Sequence, residues 1–84
     1  MTDFSQIIKI LDSIINDRTI PKNIRKVAED SKAALNSNDP LDLKISTAIF
    51  LLEEIINDPN MPIYARTKIW NIVSMLEEKK KEIS

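Results

Sequence analysis

A chain of 84 residues allows one domain, and a domain of this size buries only about 60–65% of its unfolded surface, so its core must be efficient. Cys, His and Gly are all absent. That removes disulfides, the commonest metal ligands, Gly-rich phosphate loops and any Ser/His/Asp set, while twelve basic against thirteen acidic residues leave a net charge of −1 and no global field for nucleic acid or anionic lipid.

Met1 leads into Thr2, Asp3, Phe4 and Ser5 with neither a basic segment nor a long apolar one, so no signal peptide is expected. The longest apolar runs, such as 48–52, fall far short of the roughly 20 residues that cross a bilayer. A soluble cytoplasmic protein without membrane association is the expectation.

The first helix is predicted over about 3–16, with Thr2 as its cap and Phe4, Ile7, Ile8, Leu11, Ile14 and Ile15 on one face. Pro21 fits the first turn of the second helix, whose inward line is Ile24, Val27, Ala28, Ser31 and Leu35. Asn36, Ser37, Asn38 and Asp39 form a turn cluster, with Asp39 as cap and Pro40 as first residue of the third helix. That helix is predicted to reach about Asn57, burying Leu41, Ile45, Ala48, Ile49, Leu52 and Ile56, with Leu51 and Ile55 widening the stripe. Pro62 opens the fourth, with Ala65, Ile69, Ile72, Val73 and Leu76 inward. With no Gly to end the helices, Asn16 and Asn57 are predicted to do so in the left-handed conformation.

Residues 3–35 lie over 44–76 without a gap, matching Leu11 to Leu52, Asn16 to Asn57, Asp17 to Asp58, Pro21 to Pro62 and Arg25 to Arg66. Because the shared string I-I-N-D-x-x-φ-P-x-x-x-R, where φ is apolar, carries turn chemistry as well as apolar spacing, it reads as an internal duplication. The predicted fold is all-α: a single domain over 1–84, an antiparallel four-helix bundle of two tandem hairpins at about 3–36 and 40–82. The repeat resembles a HEAT-like helical hairpin, in which an acidic turn precedes an Arg in the second helix. Two units are fewer than a solenoid needs, so the hairpins are expected to close on each other.

The strings I-I-N-D-P-N-M-P-I-Y-A-R-T-K-I-W-N-I-V-S (55–74) and I-P-K-N-I-R (20–25) resemble a family of small archaeal proteins classed as uncharacterised. The resemblance spans essentially the whole chain. It implies an all-helical bundle and an archaeal cytosolic origin, and it supplies no activity, cofactor or catalytic residues.

Three constellations remain. Asn16, Asp17 and Arg25, repeated as Asn57, Asp58 and Arg66, read as a structural turn closed by an Asp–Arg ion pair, in preference to a base and an anion clamp. Arg66, Lys68, Lys79, Lys80 and Lys81 are candidate phosphate contacts, although cations in a last turn also match the helix dipole. Leu43, Phe50, Tyr64, Trp70 and Met75 fall off the inward stripes and are candidate interface residues, the alternative being that they fill the seams between the hairpins as ordinary core. Adjacent acids such as Glu53 and Glu54 diverge by about 100° on a helix and cannot serve as a hydrolase dyad. The reading is a non-enzymatic structural or protein-interaction module with no cofactor or metal, engaging an unknown protein or itself as a homodimer. The alternative is nucleic-acid association through the fourth helix.

Overall fold

The computed structural model describes residues 3–83. Four helices follow in order: α1 (Ser5–Ile15), α2 (Lys22–Leu35), α3 (Leu41–Ile55) and α4 (Ile63–Ile83). Each packs on the next, and α4 returns to α1, while neither diagonal pair meets. The short turns between helices make neighbours antiparallel, so the result is a closed four-helix bundle and not an open superhelix. Among the described residues no helix is long and apolar enough to cross a membrane.

The inward stripes form one continuous core. Ile7, Leu11 and Ile14 from α1, Ile24 and Ala28 from α2, Ile45, Ala48 and Leu52 from α3, and Ala65, Ile69, Ile72 and Leu76 from α4 are fully buried. Each large aliphatic side chain withdrawn in this way stabilises the fold by about 1.5–3 kcal/mol. Ile20 and Met61, the apolar residues ahead of Pro21 and Pro62, are buried too and pin both turns to the core. Ser31 is the buried polar residue of the core, and its hydroxyl donates to the Val27 carbonyl at 2.9 Å. That bond offsets the cost of taking a hydroxyl out of water.

The helix ends differ from the sequence expectation in three ways. Thr2 lies outside the described residues; Phe4 is the residue flanking α1, and the Asp3 carboxylate accepts the Ser5 N–H at 2.9 Å. Pro21 and Pro40 stand one position before their helices, at ψ 147° and 149°, so Asp39 is not the cap of α3. Proline suits that place because its ring fixes φ, and its carbonyl still accepts the first helical bonds. The Pro21 carbonyl receives the N–H groups of Ile24 and Arg25, and the Pro62 carbonyl those of Ala65 and Arg66, all at 3.1 Å.

The third difference concerns Asn16 and Asn57. No described residue has a positive φ, so neither is left-handed. Asn16 sits at φ −90° and ψ 0°, and Asn57 lies in the turn that follows Ile56, where α3 has already ended. The helices close by tightening instead: Asp17 N–H donates to the Ile14 carbonyl at 3.2 Å and Asp58 N–H to the Ile55 carbonyl at 3.0 Å. Three-residue bonds of this kind satisfy terminal carbonyls with every φ negative.

Candidate functional site

The turns α1–α2 and α3–α4 lie at the same end of the bundle and are built alike. In each, the residue three places after the aspartate donates back to its carbonyl, Ile20 to Asp17 and Met61 to Asp58, both at 3.1 Å. The aspartate side chain accepts the N–H two places on, from Thr19 at 2.9 Å and from Asn60 at 2.8 Å. Asx turns of this form need only a short acceptor side chain at the first position.

The expected Asp–Arg ion pairs are not formed. Arg25 Nε donates to the Ile20 carbonyl at 3.0 Å, and Arg66 Nη2 to the Asp58 carbonyl at 3.1 Å. Both arginines therefore brace the turn through its backbone, because the carboxylates are already turned outward to the Asx bonds. The free edges of those carboxylates reach across to the other hairpin. Asp58 accepts Asn23 Nδ2 at 3.1 Å, and Asp17 accepts the Tyr64 hydroxyl at 2.9 Å. The Thr19 hydroxyl donates to Asp17 at 2.6 Å and also lies against the Tyr64 hydroxyl. The Thr19 hydroxyl, the Thr19 N–H and the Tyr64 hydroxyl hold the Asp17 carboxyl below the usual carboxylate range. Tyr64 is thus part of the turn architecture, and the sequence pattern that placed it near a helix start carried no sign of its partner 47 residues away.

The five basic candidates do not form one patch. Lys68 leans on α1, donating to the Ser13 hydroxyl at 3.1 Å, with its ammonium 5.8 Å from the Tyr64 ring centre. Lys79 lies 6.0 Å from the Phe4 ring centre at the opposite end of the bundle. Lys80 borders a shallow groove with Leu41, Asp42 and Ile83, and Lys81 is exposed on the last turns. Arg66 is half-buried in its turn. At about 1.5 Å per residue, the two groups stand roughly 20 Å apart along α4. Among the described residues no three carboxylates converge as a metal site would require.

The interface candidates divide. Met75 is half-buried and packs on the core, and Tyr64 is engaged as described. Leu43 and Phe50, two turns apart on α3, stand outward with 49% and 61% of their surface exposed. Trp70 on α4 is 54% exposed, and Ile63, two turns before it, is 80% exposed. Ile63 was missed in the sequence because it directly follows Pro62 and reads as turn, although the seven-residue step to Trp70 marks a shared ridge. Asp42 beside Lys80 at one end and the turn at 56–62 at the other set the antiparallel register, so Phe50 and Trp70 fall within about one helical turn of the same level. Both ridges belong to the outer face of the second hairpin.

Residues 1–78 match the model of an uncharacterised protein family, UPF0147. A relative from Thermoplasma acidophilum is 47% identical over 75 residues, spanning 88% of this chain and 85% of that protein. One from Methanocaldococcus jannaschii is 53% identical over 72 residues, spanning 84% of this chain and 77% of its own. Two crystal structures share the fold: a Thermoplasma acidophilum member, at TM-score 0.85 and 46% identity over 89% of each chain, and the protein of unknown function MMP1188, at TM-score 0.85 and 45% identity over 88% of this chain and 85% of that one. With the helices, the proline-led turns and these matches all in agreement over nearly its full length, the chain belongs to the UPF0147 family of uncharacterised proteins.

Proposed function

We propose that this protein is a cytoplasmic, non-enzymatic interaction module whose docking surface is the outer face of α3 and α4. The observation that carries this reading is a contrast between the two hairpins. Phe50, Ile63 and Trp70 are exposed on the second hairpin, while the matching positions of the first hold Lys9, Lys22 and Glu29, which are exposed as well. The same helices fold with charged residues in those places, so the apolar ones serve something other than folding. An exposed cluster of aromatic and aliphatic side chains of this size is the usual mark of a contact surface.

The absence of chemistry is supported by where the shifted acidities lie. Asp3 and Asp17 are held below the ordinary range by hydrogen bonds from Ser5 and Thr19, and Lys26 is raised by its bond to Asp30. Asp3 is exposed at a helix start, Asp17 is half-buried in its turn, and Lys26, at the edge of an open groove, is paired with Asp30; each shift comes from a local hydrogen bond, which favours structural roles over catalytic ones. The matching turn bonds at both ends of the repeat support an origin by duplication, with function added to one half.

Photo-crosslinking tests the reading. A photoactivatable phenylalanine analogue in place of Phe50 is expected to give one discrete adduct in the cytosol of the source cell, and the same analogue in place of Lys9 none. Equal labelling from both positions, or none from either, overturns the proposal.

A further inference from the structure

The apolar ridges of the second hairpin are bordered by acids. Glu53 and Glu54 follow Phe50 by one turn of α3, one on either side of its line, and both are exposed. Glu77 continues the Trp70 ridge two turns further along α4, with exposed Glu78 beside it. The bases nearest to these groups are turned to other partners. Lys44 is half-buried, donates to the Ser37 carbonyl at 3.4 Å and lies 5.9 Å from the Phe4 ring centre. Arg66, one turn before Trp70, is half-buried on the Asp58 carbonyl, and Lys68 is half-buried on the Ser13 hydroxyl. Exposed bases enter on the last turns of α4, where Lys80 shares a groove with Asp42 and Lys81 precedes Glu82.

In the first hairpin the acids are neutralised. Asp12, which matches Glu53, is paired with Lys32 at 2.7 Å, and Asp30 with Lys26 at 2.9 Å. These are the ion pairs among the described residues, and Glu53, Glu54 and Glu77 belong to neither. The position that matches Lys32 is Val73, which is buried in the core and supplies no charge.

We infer that the outer α3–α4 face takes a basic, amphipathic segment of another protein, whose apolar side chains cover Phe50 and Trp70 and whose Lys or Arg groups reach Glu53, Glu54 and Glu77. This rests on the interaction reading above and names the chemistry of the partner. Opposite charges at the rim of a contact select the partner and speed its approach, while aromatic residues at its centre carry most of the binding energy. Nucleic acid and anionic lipid have the same sign as this rim and are repelled by it. From Leu43 to Glu53 the helix rises about 15 Å, or about three turns, so an amphipathic helix laid along the face meets both the apolar ridge and its acids.

Trp70 is the one tryptophan of the chain, and its exposed indole reports whether the face is covered. Fluorescence titration tests the inference, using a peptide of leucine and lysine about 14 residues long, built with one apolar and one basic helix face. The emission is expected to shift to the blue and saturate, and an otherwise identical peptide of leucine and glutamate to leave it unchanged. Phe50→Ala is expected to weaken binding by about tenfold or more, as loss of a central aromatic anchor does. Glu53→Lys with Glu77→Lys is expected to weaken it as well and to let the glutamate peptide bind, while Glu29→Lys on the first hairpin changes neither. Circular dichroism shows that each variant is folded, and Glu53→Gln with Glu77→Gln reads the same loss if the charge reversal does not fold. No shift with the lysine peptide, an equal shift with the glutamate peptide, or binding indifferent to both Glu53 and Glu77 exchanges overturns a basic partner. So does an emission that shifts with protein concentration alone, which marks a second copy as the occupant. If the lysine peptide fails while position 50 still crosslinks to another protein, the interaction reading stands with a partner of different chemistry. If that adduct is missing too, both readings fall.

Discussion

Asn23 and Tyr64 occupy the same place in the two hairpins, and each donates to the turn aspartate of the other: Asn23 to Asp58 at 3.1 Å and Tyr64 to Asp17 at 2.9 Å. The exchange ties the hairpins together at the end of the bundle where both turns lie. It uses different chemistry on the two sides, an amide and a phenol, to the same geometric end.

Removing either donor is expected to loosen this end without disturbing the core. Tyr64→Phe keeps the ring and deletes only the hydroxyl, so it should lower the thermal midpoint by a few degrees, and Asn23→Ala should do the same. The double variant should melt below either single one. Thermal denaturation followed by circular dichroism reads all three.

The acidity of Asp17 gives this end a pH dependence. Its folded-state carboxyl titrates below the ordinary value because Thr19 and Tyr64 bind the charged form. The native state thus holds fewer protons than the unfolded chain, and the resulting stability is complete above the ordinary Asp value of about 3.9 and is lost as pH falls through the folded one. Asp3, depressed by Ser5, acts in the same direction. Denaturant midpoints measured from pH 6 down to pH 2 should therefore fall less steeply for Asp17→Asn than for the wild type.

The arginines that brace the turns should not tolerate lysine. Arg66→Lys loses the bond from Nη2 to the Asp58 carbonyl in a half-buried place, an expected cost of about 1 kcal/mol in urea unfolding. An unchanged midpoint would show that the bond is dispensable.

Core and outer face should separate cleanly. Ile69→Ala removes a fully buried side chain and is expected to cost about 2–5 kcal/mol. Trp70→Ala, one residue further along α4, removes a side chain that is 54% exposed and should cost less stability than Ile69→Ala while weakening association. Urea titration paired with sedimentation distinguishes these outcomes.

The core was legible because period alone decides it: every residue assigned to the inward line of α4 is buried, and so are Leu11, Ile14, Ile24 and Leu52. Phe50 and Trp70 were legible as outward for the same reason. What the sequence hid was the choice among polar partners. Asp17 and Arg25 are spaced to meet, yet the carboxylate is nearer to the Thr19 N–H and the guanidinium to the Ile20 carbonyl, and local backbone partners win over a longer ion pair. Helix ends were misplaced by a residue or two because Pro21 and Pro40 fit the flanking position as well as the first turn. The Tyr64 contact needed the third dimension.

One more consequence follows from the crossed bonds of Asn23 and Tyr64. Each hairpin holds both a giving and a receiving group, Asn23 with Asp17 in the first and Tyr64 with Asp58 in the second. Half of the chain is therefore self-complementary: two copies of the second hairpin could each lend a tyrosine to the other's aspartate. The connection at 36–40 makes the observed exchange intramolecular, so the two halves meet at the high effective concentration of a short tether and not at that of separate molecules.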